Sequence, residues 1–352
     1  MNIISSCQMG PGTFEAKFIP LSKVKGINKI YVVRKQKGPH IHKVQYIILP
    51  KVCKIKLLNI VITPILLLYY TNKYNAKLIL SYHVIPHAFF AFFASRLSGV
   101  PFSISQTGLL VQQLSDKKYI GRFILHIFKK AMYINVPGSA SKQHWIEKGI
   151  NADKIMILHS TISTDVFHNT KKQKKYEYIF LGRLAVEKNI KLLISAFGRI
   201  IEEGIYSRLL IVGDGPEKKD LEMHVKKNKL ENNIDFVGFQ ADVNLWLNKS
   251  KVFVMSSTSD AMPTSLMQAM ACELVCISSE VGNISDLLIH NVNGFLYNSN
   301  DIDHLTSLMK NSIENYDEYR ELQISARKSV LENHSYNSAV LKWEDRLSNF
   351  IN

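Results

Sequence analysis

Residues 178–203 read YIFLGRLAVEKNIKLLISAFGRIIEE, an apolar strand, a glycine turn and a helix in direct succession. The apolar run 178–181 predicts a short buried strand, and residues 189–203 predict a helix. Gly182 lets the backbone turn tightly where the strand ends. A strand that leads into a helix in this way is typical of a parallel sheet with helices on its faces.

The same alternation of short apolar strands and helices continues on both sides of this stretch. Toward the C-terminus we expect strands at 208–212, 234–237, 252–255 and 275–278, with helices at 217–228, 243–249 and 265–272. In the N-terminal half we expect strands at 2–7, 77–82, 101–105 and 131–136, with helices at 87–97 and 141–148. This alternation predicts βαβ units, and therefore an α/β protein with two doubly wound, Rossmann-like parallel sheets.

A polar and basic stretch without periodicity, HNTKKQKKY at 168–176, is the best candidate for a linker between two domains. It predicts one domain over 1–168 and a second over 169–335. Ligands of doubly wound folds bind beyond the carboxyl ends of the strands. We therefore expect the two domains to face a central cleft.

The composition of the 352 residues, 46% hydrophobic and 21% charged, is that of a folded globular protein. The N-terminus shows no basic stretch followed by a long apolar run, so we expect no secretory signal. Four scattered cysteines suit a reducing compartment, which favours a cytoplasmic location. The most apolar window, 57–70, is too short to span a bilayer and contains Pro64, so we interpret it as buried core.

The net charge of +15 is unevenly distributed along the chain. Residues 1–170 carry 22 Lys and Arg against five Asp and Glu, whereas the rest of the chain is slightly acidic. A basic proteome would raise the lysine content of both halves alike, so we interpret the excess as a functional positive face. We find no nucleic-acid-binding motif, which favours a peripheral contact with anionic membrane or a groove for an anionic acceptor. The candidate basic residues are Lys17, Lys23, Lys25, Lys51, Lys54 and Lys56.

Two cations, Arg183 and Lys188, flank the start of the helix in the opening stretch. The free N–H groups of a helix N-terminus favour an anion, and Arg can bind a phosphate through two parallel hydrogen bonds. This arrangement suits a diphosphate. The alternative is that both are solvated side chains in an ordinary connection between a strand and a helix.

Two further connections carry polar residues after a strand. The turn Gly213-Asp214-Gly215-Pro216 is weak evidence on its own, because such a turn is most simply a connector. The strand at 253–255 runs into a polar loop and then into a helix that Thr264 or Ser265 would cap. Asp260 in this loop and Gln268, one turn into the helix, could hold sugar and ribose hydroxyls. The alternative is that Asp260 helps to cap the helix and Gln268 is a surface residue.

Together, in this order and spacing, the motifs resemble the nucleotide-binding domain of the retaining family 4 glycosyltransferases, whose GT-B fold has two Rossmann-like domains. The resemblance covers almost the whole chain and is specific from Tyr178 to Tyr297. It rests on GRL-x-x-EKN at 182–189, GDGP at 213–216, FVGF at 236–239, VGNISDL at 281–287 and NGFL at 293–296. In addition, GPGT at 10–13 resembles the N-terminal glycine loop of the family. The terminal helix around Trp343, within 336–352, resembles the helix that crosses back onto the first domain.

The resemblance implies a donor site in which Arg183 and Lys188 bind the diphosphate, Asp260 and nearby backbone bind the sugar, and Gln268 meets the ribose. It makes Arg183, Lys188 and Asp260 the expected catalytic residues. The expected donor-binding residues are Gly12, Gly182, Arg183, Lys188, Gly213, Gly238, Asp260, Ala261, Met262, Pro263, Thr264 and Gln268. Gly12 would let its backbone approach the phosphates.

The sequence departs from the family pattern at two places. The family usually has Glu at both ends of an E-x7-E motif, where this chain has Asp260 and Gln268. Many members also have a His after a strand of the first domain, where this chain has SISQTG at 103–108. These departures leave open the alternative of a nucleotide-sugar-binding protein that has the fold without turnover.

The expected function is that of a retaining, metal-independent glycosyltransferase that uses a nucleotide diphosphate sugar. Its acceptor would be a glycan or a lipid-linked glycan at the inner face of the plasma membrane, in capsule or lipopolysaccharide biosynthesis. We expect no cofactor and no metal, because the two cations neutralise the leaving diphosphate. His83 and His87 are spaced like a zinc pair, but Pro86 breaks the helix that such a pair needs.

Overall fold

In the computed structural model, residues 1–260 and 262–351 are described, and they form two units. The first unit comprises residues 1–161 and the C-terminal segment from Tyr336, and the second comprises 162–335. The chain enters the second unit at Ile162, which pairs with Ser335 and whose amide donates to the His334 carbonyl at 2.9 Å. The boundary therefore lies after residue 161, before the basic stretch 168–176 that we took for a linker.

The first unit is a seven-stranded parallel sheet with helices on both faces. Its elements up to residue 161 are β1 (Asn2–Ser6), α1 (Pro11–Lys23), β2 (Lys29–Arg34), β3 (Val44–Ile48), α2 (Lys56–Lys73), β4 (Ala76–Tyr82), α3 (Phe89–Ser98), β5 (Phe102–Ser105), α4 (Leu110–Ser115), α5 (Lys118–Lys130), β6 (Tyr133–Val136), α6 (Ser139–Glu147) and β7 (Ile155–Ile157). The strand order is β3-β2-β1-β4-β5-β6-β7. Neighbouring residues of a strand face opposite sides, so Ile3 and Ile4 belong to different buried clusters.

The second unit repeats this plan with six parallel strands. Its elements are β8 (Tyr176–Leu181), α7 (Ile190–Glu202), β9 (Leu209–Val212), α8 (Lys218–Lys227), β10 (Ile234–Gly238), α9 (Val243–Asn248), β11 (Ser250–Met255), α10 (Thr264–Ala271), β12 (Val275–Ser279), β13 (Phe295–Tyr297), α11 (Ile302–Glu314) and α12 (Arg320–Asn333). The strand order is β10-β9-β8-β11-β12-β13. The prediction of two doubly wound parallel sheets is confirmed.

In each sheet the strand order reverses at one place, between β1 and β4 in the first unit and between β8 and β11 in the second. The connections that leave the two strands there run toward opposite edges of the sheet. This leaves a crevice beyond their carboxyl ends that no crossing helix covers. The reversal between β8 and β11 fixes where the polar loops of the second unit meet.

The terminal helix α13 (Tyr336–Ile351) belongs to the first unit. Trp343 and Leu347 are buried in the same apolar cluster as Phe14 and Phe18 of α1. Their burial explains why the last residues of the chain group with its first ones.

The interpretation of residues 57–70 as buried core is wrong. They lie in α2, which buries only one side, with Thr63, Pro64, Leu67 and Thr71. The opposite side is open to solvent, because a helix on the face of a sheet has only one stripe in contact with it. Its exposed apolar residues are Leu57, Leu58, Ile60, Val61, Ile65 and Tyr69. Among the described residues, no helix combines the length and apolarity needed to cross a bilayer.

Replacing Trp343 with Ala should lower the free energy of unfolding by about 3–5 kcal/mol, because it empties a buried site in the core of the first unit. Urea unfolding of the full chain, followed by far-ultraviolet circular dichroism, measures this loss. Leu341→Ala is the control, since Leu341 lies on the same helix and is 67% exposed. Equal stability of the two variants would show that α13 is not part of the core.

Candidate functional site

The candidate site of the second unit lies where the connections after β8 and β11 meet. The strands are neighbours in the sheet, and Val252 of β11 lies opposite Tyr178 of β8. Their carboxyl ends therefore open at the same edge. The loop after β8 carries Arg183 and Lys188, and the loop after β11 carries Asp260.

Lys188 and Asp260 form an ion pair between these two loops. Both side chains are largely buried, so solvent screens their attraction less than it screens a surface pair. The backbones are joined as well. The Ser256 hydroxyl donates to the Lys188 carbonyl at 2.9 Å, and the Thr258 amide donates to the Glu187 carbonyl at 2.8 Å. The structure thus brings together two expected site residues that are far apart in sequence.

Arg183 lies in the same loop as Lys188 but has a different environment. Its side chain is exposed, and within 1–260 and 262–351 it makes no ion pair or side-chain hydrogen bond. It lines a cavity of about 440 Å³, together with Gly182, Asp214 and Phe239. An unpaired guanidinium at the rim of a cavity is available to bind an anion.

The prediction that Thr264 or Ser265 caps α10 is wrong. Pro263 occupies the N-cap position in an extended conformation, so Thr264 is already the first helical residue. No side chain of the described residues caps this helix, nor α7, whose N-cap is Asn189. The first N–H groups of both helices thus lack side-chain acceptors, which favours an anion near them.

Packing accounts for the conformation of the glycine turn after β9. Gly213 has φ +144°, and a Cβ there would lie 1.8 Å from the Gly182 carbonyl oxygen. Its amide donates to the Gly238 carbonyl at 2.8 Å, while the Gly182 amide donates to the Val212 carbonyl at 3.0 Å. These contacts favour the connector interpretation for Gly213, and it also borders the cavity beside Arg183.

The remaining expected site residues have varied surroundings. Met262 and Pro263 are buried, and the Met262 side chain packs into the core. Thr264 is exposed and Gln268 is half-buried on α10. Ala261 lies outside the described residues. Gly12 belongs to the first unit, where it is exposed in the first turn of α1.

Phe239 was not singled out for a role from the sequence. It follows β10 directly, and its ring is 77% exposed at the cavity that Arg183 also lines. A large exposed aromatic ring at a cavity can stack on a flat ligand. In the sequence, the available signal for this role was the position of Phe239 directly after a glycine. The structure gives that glycine, Gly238, a φ of +68°.

The sequence drew attention to His83 in the first unit only for its spacing from His87, and not for the cavity that it lines. His83 follows β4 at the place where the strand order reverses, with φ +67°, and its buried Nδ1 has no hydrogen-bond partner among the described residues. It lines a cavity of about 240 Å³ together with Thr107 and Gly108, from the stretch that lacks the family histidine. Burial lowers the pKa of His83, so its imidazole is neutral at pH 7.

The structure gives no support to a metal site at the histidines. The Nδ1 of His87 lies 2.8 Å from the Ser6 hydroxyl, and burial lowers the pKa of His87 to about 3. The sequence also contains an Asp-x-Asp pattern at Asp301 and Asp303. Asp301 caps α11, while Asp303 pairs with Arg199. In the part of the chain that the structure describes, no three His, Cys, Asp or Glu side chains are grouped to hold a metal ion.

Comparison with known proteins identifies the second unit. Residues 162–329 match the family described as glycosyl transferases group 1. The N-acetyl-alpha-D-glucosaminyl L-malate synthase of Bacillus anthracis is 25% identical over 287 residues, which cover 78% of this chain and 74% of that protein. A Campylobacter jejuni alpha-1,4-N-acetyl-D-galactosaminyltransferase, named for a PP-undecaprenol-linked glycan, is 25% identical over 205 residues. That alignment covers 56% of this chain and 56% of the relative.

A solved structure resembles the chain over its full length. The Anabaena protein HepE, solved in complex with UDP, has a TM-score of 0.83 and 18% identity, covering 99% of this chain and 100% of that one. At this identity the likeness concerns the fold. The expected GT-B fold of two Rossmann-like units is confirmed.

Alanine substitutions at Gly213 and Gly12 compare a glycine that the packing requires with one that has room for a side chain. Gly213→Ala should lower the free energy of unfolding by about 2–3 kcal/mol, because its methyl group collides with the backbone of Gly182. Gly12→Ala should leave it unchanged or raise it slightly, since no atom lies within 4 Å of the added Cβ in a helix. Chemical unfolding measures both, and a stable Gly213→Ala protein would contradict the contact.

Proposed function

We propose that the chain is a group 1 glycosyltransferase, because residues 162–329 of its second unit match that family. In this proposal it moves a sugar from a nucleotide diphosphate to a glycan or lipid-linked acceptor. The observation that carries this proposal is the pairing of Lys188 with Asp260, in the loop that also presents Arg183. With Arg183 nearby, two cations and a carboxylate therefore lie at the edge where a doubly wound sheet binds ligands.

Arg183 and Lys188 bind the diphosphate of the donor in this proposal. Arg183 is exposed and unpaired within the described residues, so binding a phosphate breaks none of its contacts there. Lys188 neutralises Asp260 in the absence of donor and can contact the phosphate while it stays near the carboxylate. The uncapped start of α10 adds N–H groups with partial positive charge.

Asp260 and Gln268 select the donor rather than transfer protons. The oxygens of the Asp260 carboxylate, which pairs with Lys188, accept hydrogen bonds from sugar hydroxyls. Gln268 lies one turn into α10 and contacts the ribose in this proposal. The backbone of Met262, Pro263 and Thr264 would line the sugar, while Gly12, Gly182, Gly213 and Gly238 would allow the backbone to approach the donor.

The nucleoside occupies the cavity beside Arg183. Its volume of about 440 Å³ suits a base with its ribose, and the exposed ring of Phe239 offers a stacking surface. HepE, the structural neighbour, was solved with UDP. A uridine nucleotide is therefore the first donor to test.

The reaction proceeds with retention and without a metal. The bond between the sugar C1 and the diphosphate oxygen breaks, and the acceptor oxygen bonds to C1 on the same face. The acceptor proton passes to the leaving phosphate oxygen, so no protein nucleophile is needed. Arg183 and Lys188 stabilise the charge that develops on the diphosphate, which is why no divalent cation and no cofactor are required.

The acceptor is a lipid-linked glycan of a surface polysaccharide, either capsule or lipopolysaccharide. One relative is named for a PP-undecaprenol-linked glycan, which supports an acceptor of this class. The enzyme would work in the cytoplasm at the inner face of the plasma membrane. The excess of lysine over acidic residues in 1–170 supports a peripheral contact with anionic lipid and gives no reason to invoke nucleic acid.

The second candidate function is nucleotide-sugar binding without turnover. Asp260 and Gln268 stand where the family usually has two glutamates, and this difference favours the non-catalytic alternative. Both functions require the same donor site. They differ in whether the bond at C1 breaks.

Incubation with UDP-, GDP- and ADP-sugars tests the proposed function. A bound donor should raise the melting temperature. With water as the acceptor, proton nuclear magnetic resonance should show release of the nucleotide and a free sugar whose first-formed anomer has the configuration of the donor. Binding without release over many hours would support the non-catalytic alternative. Absence of both binding and release for every donor would contradict the proposal.

Arg183→Ala should lower kcat/KM about a hundredfold, a loss of about 3 kcal/mol from a charged contact that strengthens in the transition state. The melting temperature should not change, because the side chain is exposed. Arg199→Ala is the control, since Arg199 forms only an exposed surface pair with Asp303. Full activity of Arg183→Ala would place the diphosphate elsewhere.

Gln268→Glu should keep or raise kcat/KM, because it restores the carboxylate that the family usually has and a charged acceptor binds hydroxyls more tightly. Rates measured at saturating and at limiting donor concentrations separate an effect on donor binding from an effect on the chemical step. A tenfold loss in both would contradict the proposal that the Gln268 side chain accepts hydrogen bonds from the ribose hydroxyls.

A further inference from the structure

Helix α2 presents an apolar stripe to solvent. Leu57, Val61, Ile65 and Tyr69 recur every four residues, so they lie on one side of the helix. Each is more than half exposed, and Leu57 reaches 76%. Soluble proteins rarely expose a continuous apolar stripe of this length without a partner.

The exposed apolar surface continues from α2 onto α5. Ile60 of α2, Ile85 before α3 and Phe123 of α5 are each about half exposed and line one groove of about 230 Å³. Phe89 and Phe123 bring α3 and α5 into contact there, with ring centroids 5.9 Å apart. Tyr119 and Ile120 of α5 are exposed as well. We call the exposed apolar residues of α2 and α5, with this groove, the apolar face.

The apolar face is flanked by basic residues and lacks acidic ones. Lys51, Lys54 and Lys56 are exposed at the start of α2, and Lys118 and Arg122 are exposed on α5. No Asp or Glu occurs in 16–115, which includes α2, or in 117–146, which includes α5, and Asp116 between these ranges pairs with Lys148. Lys17, which the sequence suggested as part of a basic surface, does not contribute, because it is buried and burial lowers its pKa to about 8.

Two tyrosines of this surface each have a lysine ammonium group close to the ring. The Lys73 ammonium lies 5.6 Å from the ring centre of Tyr69, and that of Lys118 lies 5.8 Å from Tyr119. Tyrosine and lysine are the residues that occupy the boundary between lipid headgroups and hydrocarbon. Apolar side chains in the middle with tyrosine and lysine around them are typical of an element that lies in a membrane interface.

We propose that the apolar face inserts into the headgroup and acyl-chain boundary of an anionic bilayer, with α2 lying in the plane of the membrane. The proposal rests on the proposed function and adds to it the surface of the first unit that makes the membrane contact. It also adds hydrocarbon insertion to the electrostatic attraction. Anionic lipid is the occupant that matches an apolar surface with positive charge at its edges and no negative charge within it.

Leu57 and Leu341 allow a matched test, because both are exposed leucines on helices of the first unit. Co-sedimentation of the full chain with vesicles of phosphatidylcholine and 30% phosphatidylglycerol measures binding. Leu57→Gln should lower the partition coefficient about fivefold, and adding Val61→Gln should lower it further. Leu341→Gln should match wild type. Lys54→Gln should weaken binding to anionic vesicles only, about fivefold.

Insertion is read directly from tryptophan placed on the two helices. The fluorescence added by Leu57→Trp should be quenched by brominated lipid, and that added by Leu341→Trp should not. The idea is overturned if wild type ignores anionic vesicles at low salt, or if Leu57→Gln and Leu341→Gln bind equally. Self-association that Leu57→Gln abolishes, without lipid binding, would assign the face to a second copy instead.

Release of nucleotide from UDP-sugar, measured without lipid, separates this idea from the proposed function. The Leu57 variants should release nucleotide at the wild-type rate, because α2 belongs to the first unit and the donor residues tested above to the second. Vesicle binding without any nucleotide release would contradict the proposed function and leave the membrane surface standing. Nucleotide release without vesicle binding would do the reverse.

Discussion

The site depends on the pairing of β8 with β11 in the middle of the second sheet. These strands are neighbours in space although β9, β10 and the helices between them separate them in sequence. Because both strands are parallel, the loops that follow them must emerge at the same edge. The ion pair between Lys188 and Asp260 and the hydrogen bond from Ser256 to the Lys188 carbonyl are consequences of that pairing.

The same constraint explains the glycine turns. With β9 beside β8, the turns after both strands approach so closely that Gly213 has no room for a side chain against the Gly182 carbonyl. The packing of the turns leaves a cavity with Arg183 at one side and Phe239 at another. Glycines that the backbone packing requires and side chains that line the cavity thus alternate along one edge of the sheet.

The sequence predicts the architecture well where the signal is local. The apolar run and glycine at 178–182 specify a strand and a turn without reference to the rest of the chain. Strands β2, β3, β7 and β13 were not predicted. Of these, β3 is a half-exposed strand at the edge of the sheet, in which Gln45 and Tyr46 interrupt the apolar pattern. The boundary after residue 161 could not be found locally, because it depends on Ile162 pairing with Ser335 at the other end of the unit.

Local apolarity does not determine burial, and α2 shows this most clearly. Leu57 and Leu67 lie on one helix, the first open to solvent and the second fully buried. Similarly, the pattern around Thr264 suggests a cap, while the backbone of Pro263 decides where the helix begins. Arg183, Lys188 and Asp260 could be singled out because their residue types and their place after strands limit what they can do. The surroundings of His83 could not be predicted, because they depend on a cavity and on a backbone angle.

A crystal structure of the protein with a bound nucleoside diphosphate tests the central claim most directly. The account predicts the diphosphate within hydrogen-bond distance of the Arg183 guanidinium and the Lys188 ammonium, with the base in the cavity at Phe239. It would be contradicted by a diphosphate bound away from the ends of β8 and β11, with the pair between Lys188 and Asp260 unchanged and Arg183 still free in solvent.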